Sequence, residues 1–442
     1  MKRTIFITSC HPLISRNILS TGVLEMLLKA GFEIVLIVPD SKKEFFLRSF
    51  GQAGVTVEGI SYASTKRDGL MKYLSLASLS TRTLSIKRQT EMKGSGSFSH
   101  FILSNRLAHS TIRFLEKISY KKDLFSDLFN KYQPDKVFCT DIQNEIDIAL
   151  LNEAHRKGIY SFGMVRSWDN LTSKGLIRSI PQKLIVWNNI IKKEATLLNA
   201  VPDSAIAAVG IPHYDSYKKC DFSDKASFFK KIGGDPEKKM ALFIPIGDRY
   251  LTKNNVDADV VALLDSVLPA DYQILVRFPP GDYVRGIENN PGRFDKSRVL
   301  YDRIAMTSDS IKMTEIRKDD DIHLAQTLHW SDIVISGPST LVIDAAYMDR
   351  PLILSGFDGT ETKPYLDSIR RYYDYDNFIP ILESGGAKLA KSSDEFVSYV
   401  KEYLADPKKD VKGRKNLAEK QGALDDEMST KRLFDELMTA FK

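Results

Sequence analysis

The chain has 442 residues, 43% of them hydrophobic and 27% charged, with 63 Lys or Arg against 57 Asp or Glu for a net charge of +6. That length exceeds one comfortable core and calls for two domains of about 200 residues each, and the composition excludes a disordered or fibrous chain. Cys10, Cys139 and Cys220 are too few and too scattered for a disulfide framework or a cysteine zinc site, which points to a reducing cytoplasm. No apolar run approaches the roughly 20 residues a bilayer crossing needs, and the short run after Met1 turns polar too soon for a signal peptide.

In chain order, residues 4–8 read as a strand, 14–29 as a helix on apolar spacing, 32–38 as a strand, 42–53 as a helix and 55–60 as a strand. The segment 63–132 reads as mostly helical and basic, interrupted by a Gly/Ser-rich loop at 92–99. Between Ala63 and Lys122 it carries twelve Lys or Arg against three acidic residues, which leaves the rest of the chain slightly acidic. Such an excess suits an anionic membrane surface or an anionic substrate, or is a solvated face. Without interleaved aromatics or a recognisable motif it does not suit nucleic acid. Strands at 135–140, 160–165, 183–187 and 205–209 alternate with helices at 144–157 and 188–198.

After a charged connection at 219–238 the alternation restarts, with strands at 240–245, 273–278, 310–314, 333–335 and 352–354 and helices at 257–268, 293–307, 321–330 and 341–348. Helices at 393–404 and 424–441 close the chain, the last long enough to pack back on the first half. Repeated βα alternation of this kind predicts an α/β protein of two Rossmann-like, doubly wound parallel sheets facing across a cleft, at residues 1–217 and 239–422, with a linker at 218–238 and a terminal helix at 423–442. Ligands in such sheets lie beyond the carboxyl ends of the strands, so the loops that follow strands hold the candidates.

After the first strand come His11, Arg16 and Asn17. His11 is either a general base or a structural histidine, and Arg16 at a helix start invites an anion. Asp141 follows the strand KVFCT as a second candidate base or as a helix N-cap. The run Arg166 to Gly175 packs a cation, an aromatic plate, a carboxylate and an amide into one loop. There Trp168 offers a stacking face, while Asp169 and Asn170 can fix hydroxyls. His213, in the turn 210–215, faces the hinge as a ligand contact or as part of a turn fixed by Pro212.

In the second half PIGDRY with Gly247, VRFPPGDY with Arg277 and Gly281, and SGPST with Ser336, Gly337, Ser339 and Thr340 each follow a strand. Small and hydroxylated residues at a helix N-terminus leave backbone amides pointing outward, a place for a diphosphate, and Asp344 one turn on can reach ribose hydroxyls. No HExxH, strand-end DxD or spaced His pair appears, so neither a metal nor another cofactor is expected.

The stretch SDIVISGPSTLVIDAAYMDRPLIL, at 331–354, resembles the corresponding strand, turn and helix of the GT-B superfamily of nucleotide-sugar glycosyltransferases, in particular bacterial surface-polysaccharide enzymes and CDP-glycerol glycerophosphotransferases. The resemblance covers the whole organisation, with motif-level agreement at 331–354 and, more weakly, at 276–282. It implies a donor-binding C-terminal half, an acceptor-binding N-terminal half and metal-independent transfer. It puts Ser336, Gly337, Ser339 and Thr340 at the donor diphosphate and Asp344 where many members carry a ribose-binding Glu. Where relatives carry His-Pro this chain has Phe278-Pro279.

The expectation is therefore a glycosyltransferase moving a sugar from a nucleotide-sugar donor to a glycan or lipid-linked acceptor, with His11, Asp141 or Asp169 as base. Arg16, Asn17, Arg166, Trp168, Asn170 and His213 are expected on the acceptor side, and the inner face of the membrane is a surface for residues 63–122. The alternatives are a CDP-glycerol-type polyol-phosphate transferase, a UDP-sugar 2-epimerase and a non-catalytic scaffold that binds glycan or membrane.

Overall fold

The computed structural model describes residues 3–91, 97–120, 124–251, 254–280, 282–290, 292–303, 315, 318–422 and 426–439. The chain divides into two compact units, Met1–Ser216 with Leu424–Lys442, and Tyr217–Ala423.

The first unit is built on β1 (Arg3–Thr8), β2 (Phe32–Pro39), β3 (Val55–Ile60), β4 (Lys136–Cys139), β5 (Tyr160–Met164), β6 (Lys183–Val186) and β7 (Ile206–Ala208). They form one sheet in the order β3-β2-β1-β4-β5-β6-β7, every neighbouring pair parallel. FEIVLIVP in β2 is almost continuously apolar and buried, as a strand covered on both faces by helices must be. β1 pairs Arg3 with Phe32 on one side and Ile5 with Lys136 on the other. The order reverses between β1 and β4, so the loops after these two strands flank the topological switch point.

The second unit holds β8 (Lys239–Ile244), β9 (Tyr272–Phe278), β10 (Val299–Arg303), β11 (Ile333–Ser336), β12 (Leu352–Ser355) and β13 (Lys388–Ala390). Their order is β10-β9-β8-β11-β12-β13, again all parallel, with the switch point between β8 and β11.

Several elements differ from the sequence expectation. The helix expected at 14–29 is Pro12–Asn17, a short 3-10 turn and Val23–Lys29, divided at Gly22, whose φ of 93° is left-handed. Residues 219–238 are no bare linker, since Lys225–Ile232 is a helix capped by Asp224 and closed by Gly233 at φ 71°. Within the helix expected at 293–307 the chain instead forms β10, in register with β9 from Val299 opposite Ile274. Its aliphatic run is too short for periodicity to separate the two states. The strand expected at 310–314 lies outside the described residues.

The terminal helix spans Ser429–Met438 and belongs to the first unit. Asp215 caps it, its carboxylate accepting from the Ser429 and Thr430 amides at 3.2 and 2.7 Å, and Arg432 Nε donates to the Val209 carbonyl at 2.9 Å. The turn at 210–215 is thus the dock of this helix.

The basic segment folds as helices Lys66–Ala77, Arg82–Thr90, Ser97–Leu103 and Arg106–Ser119. Much of its charge is turned inward. Arg88 donates to the Leu76 and Leu79 carbonyls, Arg113 to those of Ile177 and Asn199, and Arg67 bonds Glu116 at 2.6 Å.

Candidate functional site

At the switch point of the first unit a cavity of about 610 Å³ opens, lined among others by His11, Lys72, Lys87, Asp141, Glu145, Arg166, Lys174 and Arg178. His11 comes from the loop after β1, Asp141 from the loop after β4, and Arg166 and Lys174 from the loop after β5. The strand ends are tied together from below. Thr8 Oγ1 donates to Asp147 Oδ1 at 2.6 Å, the Asp141 amide donates to the same oxygen at 3.1 Å, and Thr140 Oγ1 donates to the Thr8 carbonyl at 2.9 Å.

Cations outnumber carboxylates here, and two carboxylates are already engaged. Arg166 Nη1 donates to Asp141 Oδ2 at 2.7 Å, with Lys174 Nζ 4.0 Å from that oxygen, and Arg178 bonds both Glu145 and the fully buried Glu116. Lys72 and Lys87 complete the positive charge of the lining, Lys87 lying 3.6 Å from Glu91, a third carboxylate there. With Glu91 the lining carries three carboxylates against five cations, so the cavity is electropositive. Burial holds Lys174 below the usual lysine range, Asp141 opposing and Arg166 reinforcing the shift. Below the floor, burial and the Asp141 charge push Asp147 up to about 7.

The helix Glu145–Lys157 is capped by Asn144, whose side chain accepts from the Ile146 amide at 3.0 Å, so Asp141 is not its cap. Asp141 is left with its oxygen Oδ1 buried and without a hydrogen-bond partner. His11 has a different standing. Burial first, then the charges of Arg166, Lys174 and Lys42, push it down to about 2, so the ring is neutral. Its Nδ1 accepts from the Leu13 amide at 3.2 Å, which fixes the proton on Nε2. His11 thus caps its helix and offers a donor to the cavity, where a general base would need a lone pair.

The loop is held to the basic helices through Gly175, at φ 87°, where a Cβ would lie 2.8 Å from the Ser75 backbone. The Leu176 amide donates to the Ser75 carbonyl at 3.1 Å, Ser75 Oγ to the Leu176 carbonyl at 2.9 Å, and Gln143 Nε2 to the Gly175 carbonyl at 2.8 Å. This contact brings Lys72 and Lys87 to the cavity. Both stand out only as members of a basic count in the sequence, and Arg178 carries no local signal at all.

The other six first-unit candidates do not line the cavity. Arg16 Nε donates to Asn17 Oδ1 at 2.9 Å. Asp169 accepts from Ser173 Oγ at 3.3 Å, Trp168 is buried, and the buried Asn170 amide group makes no hydrogen bond. His213 is buried against Tyr214, and burial holds its pKa far below the usual histidine value.

In the second unit the turns after β8 and β11 meet. A Cβ on Gly337 would lie 2.3 Å from Ile246 Cγ1, so only glycine lets the two turns touch. The Ile246 and Gly247 amides donate to the buried Asp257 carboxylate at 2.9 and 3.1 Å, which leaves the Gly247 amide already engaged. Burial pushes Asp257 up to about 6, with these bonds opposing. Ser336 is buried and donates to the Gly337 carbonyl at 2.8 Å, whereas Ser339 and Thr340 are half-buried and Ser339 Oγ accepts from the Leu341 amide at 3.3 Å. Asp344 is buried and accepts from the Tyr217 hydroxyl at 2.7 Å. Arg277 sits inside β9 instead of a strand-end loop, paired with Asp302, which also bonds His323 Nε2 at 3.1 Å. Gly281 lies outside the described residues. Among the described residues no three His, Cys, Asp or Glu side chains converge as a metal cluster.

A family model described as CDP-Glycerol:Poly(glycerophosphate) glycerophosphotransferase matches residues 176–439, more than half of the chain. No curated protein matches it in sequence. Among solved structures, a UDP-N-acetylglucosamine 2-epimerase aligns at TM-score 0.58 and 13% identity, over 100% of this chain and 97% of its own. The UDP-GlcNAc 2-epimerase of Neisseria meningitidis, bound to UDP-GlcNAc, aligns at TM-score 0.56 and 11% identity, over 99% and 100%. A glycosyltransferase from Rickettsia africae aligns at TM-score 0.51 and 10% identity, over 99% of each chain. At such identities the likeness is one of fold, two parallel α/β domains of the GT-B type.

Proposed function

The chain belongs to the CDP-Glycerol:Poly(glycerophosphate) glycerophosphotransferase family, and from that premise we propose that it joins a group from a nucleoside-diphosphate-linked donor to a hydroxyl of a glycan or lipid-linked acceptor in cell-surface polysaccharide synthesis. The observation that carries this is the convergence of Asp141, Arg166 and Lys174 at the switch point of the first unit. The first unit holds the acceptor in this proposal. Asp141, held beside Arg166 and Lys174, takes the proton of the attacking hydroxyl, and His11 Nε2 donates to a neighbouring acceptor oxygen. The excess of five cations over three carboxylates on the lining favours an acceptor that carries a phosphate.

The second unit holds the donor, its diphosphate received at the half-buried Ser339 and Thr340, where hydroxyls and turn amides offset the leaving-group charge and no metal is required. Phe278-Pro279 stands where relatives carry His-Pro, so no imidazole serves phosphoryl transfer at that position. That departure favours glycosyl transfer from a nucleotide sugar, such as the UDP-GlcNAc bound by the Neisseria meningitidis neighbour. A second reading, favoured by the family match, is transfer of a polyol phosphate from a CDP-glycerol-type donor. With a lipid-linked acceptor, either enzyme works at the cytoplasmic face of a membrane.

The two reactions release different nucleotides. Attack at the sugar anomeric carbon frees a nucleoside diphosphate, and attack at phosphorus frees CMP. A panel of UDP-, GDP-, dTDP- and CDP-linked donors, each with and without glycan acceptors and with the released nucleotide identified, tests the proposal. Acceptor-dependent diphosphate release is the expected result, and CMP release establishes the second reading. Conversion of a UDP-sugar without acceptor would make the protein an epimerase, and no turnover of any donor would leave a scaffold and overturn the proposal.

A further inference from the structure

The helix Arg106–Ser119 is turned inside out relative to an ordinary surface helix, which hides its apolar stripe and shows its charges. Leu107, Phe114 and Ile118 fall on one stripe at the helical period and are 79%, 60% and 54% exposed, with Leu115 beside them. The opposite side buries Ile112 and the carboxylate of Glu116, which Arg67, Arg178 and Asn152 hold inside. This ion cluster fixes the helix in its inverted sense, so the outward apolar stripe is built in.

The stripe has company. The helices Ser97–Leu103 and Arg106–Ser119 both pack against Lys66–Ala77, through contacts that include His100 Nδ1 at the Ala77 carbonyl and His109 Nε2 at the Ser78 carbonyl. On these partners Phe101 is 86% exposed, and Ile102, Leu70 and Tyr73 are exposed too. Of the seventeen large apolar residues exposed among the described residues, eight lie between Leu70 and Ile118. Scattered exposed leucines are ordinary, but a cluster of this size on adjoining helices marks a surface that meets something apolar.

Charge selects the partner. Lys66, Arg106 and Lys117 are exposed on these same helices, while Asp68 and Glu116, the acidic residues among their described residues, are both buried. We propose that this face docks on an anionic lipid bilayer, its Phe, Leu and Ile side chains entering the headgroup boundary and its Lys and Arg side chains meeting lipid phosphates. The anchor is thus apolar, with charge as the auxiliary. Arg88 and Arg113, which swell the basic count of the segment, donate to backbone carbonyls and take no part. The proposal rests on this surface and is independent of which group the enzyme transfers.

Flotation of the full chain with phosphatidylcholine vesicles, with and without phosphatidylglycerol, at low and high salt and with no donor present, tests it. The chain floats with the mixed vesicles, and high salt weakens this binding without abolishing it, because apolar contact is not screened. The double variant Leu107→Glu with Phe114→Glu lowers the bound fraction by about tenfold or more. Arg106→Glu with Lys117→Glu lowers it less and removes most of the salt dependence. Phe101→Ser gives a second reading of the apolar contribution should the double variant fail to fold. No binding to either vesicle, or binding lost in the charge variant and kept in the apolar ones, would overturn the proposal. So would a dimer in vesicle-free light scattering that Leu107→Glu disperses, since the face would then belong to a second copy.

Discussion

The two units share a topology and differ in what they place at its switch point. The first gathers ionisable side chains, Asp141, Arg166, Lys174 and His11, around a cavity. The second sets glycine, serine and threonine in a turn that lies against a neighbouring turn. A side-chain site can exchange protons and choose among substrates, whereas a turn of small residues offers backbone amides in one fixed geometry. In the proposed reaction the first suits the group that must lose a proton, and the second suits a leaving diphosphate common to many donors.

The largest effect that would break this contrast is at Asp141. Asp141→Asn keeps the shape and removes the charge, and kcat is expected to fall by roughly 10²–10³ with donor KM little changed. Steady-state rates beside a thermal midpoint separate lost chemistry from lost folding, because Arg166 and Lys174 would lose their shared partner. A fall below about tenfold would reduce the first unit to a binding role and cancel the contrast.

Glycines sharpen it next. Gly337→Ala drives a methyl into Ile246 Cγ1, and Gly175→Ala drives one into the Ser75 backbone from a left-handed residue. Each is expected to cost about 2 kcal/mol. The two differ in rescue. Adding Ile246→Ala restores most of the packing tolerance around position 337, since a side chain gives way. No side-chain change rescues position 175, where the clash is with main chain. Denaturant midpoints of the two singles and the rescued double decide it, and equal rescue at both sites would mean the turns are less tightly set than their contacts imply.

Legibility in the sequence followed the same division. Alternation of apolar strands and helices made two parallel α/β units readable because a fully covered strand must be apolar throughout, as in β2. β10 escaped because five residues carry too little periodicity, and the Gly22 break escaped because the apolar spacing runs on across it. Loops after strands did hold His11, Asp141 and Arg166. Their roles depend on contacts that no local pattern reports, such as the Leu13 amide that turns His11 into a donor and the Ser75 contact that brings in Lys72. Arg277 and Asp344 looked like ligand contacts, yet their partners, Asp302 and Tyr217, are 25 and 127 residues distant in sequence. A basic count could not show that Arg88 and Arg113 point inward.

The pH dependence of stability offers a further test. Asp147 binds a proton in the folded state up to about 7, against 3.8 ordinarily, so its contribution is present below about pH 4 and is lost as pH rises through about 7. His11 has the opposite sign. Its folded value of about 2 lies under the ordinary 6.5, so stability is lost as pH falls from about 6.5 toward 2. Asp257 in the second unit repeats the Asp147 case, more weakly, up to about 6. Asp147→Asn should therefore gain on the parent chain by roughly 4 kcal/mol between about pH 4 and pH 7 in denaturant titrations. A constant difference across that range would mean that Asp147 is ionised throughout in the folded chain.

Ser339→Ala is the smallest change and the most direct probe of the turn. The hydroxyl accepts from the Leu341 amide, so removing it costs about 0.5–1 kcal/mol of stability as a lost helix-start contact. If the turn also receives a diphosphate, donor affinity falls by a few-fold as well, because one hydroxyl among several amide donors is lost. Calorimetry with the nucleoside diphosphate and a melting curve of the ligand-free chain measure the two effects separately. A melting loss with unchanged nucleotide affinity would make Ser339 purely a cap and move the diphosphate away from this turn. A loss in both would leave the second unit holding its ligand chiefly through main chain, with acid–base work confined to the first.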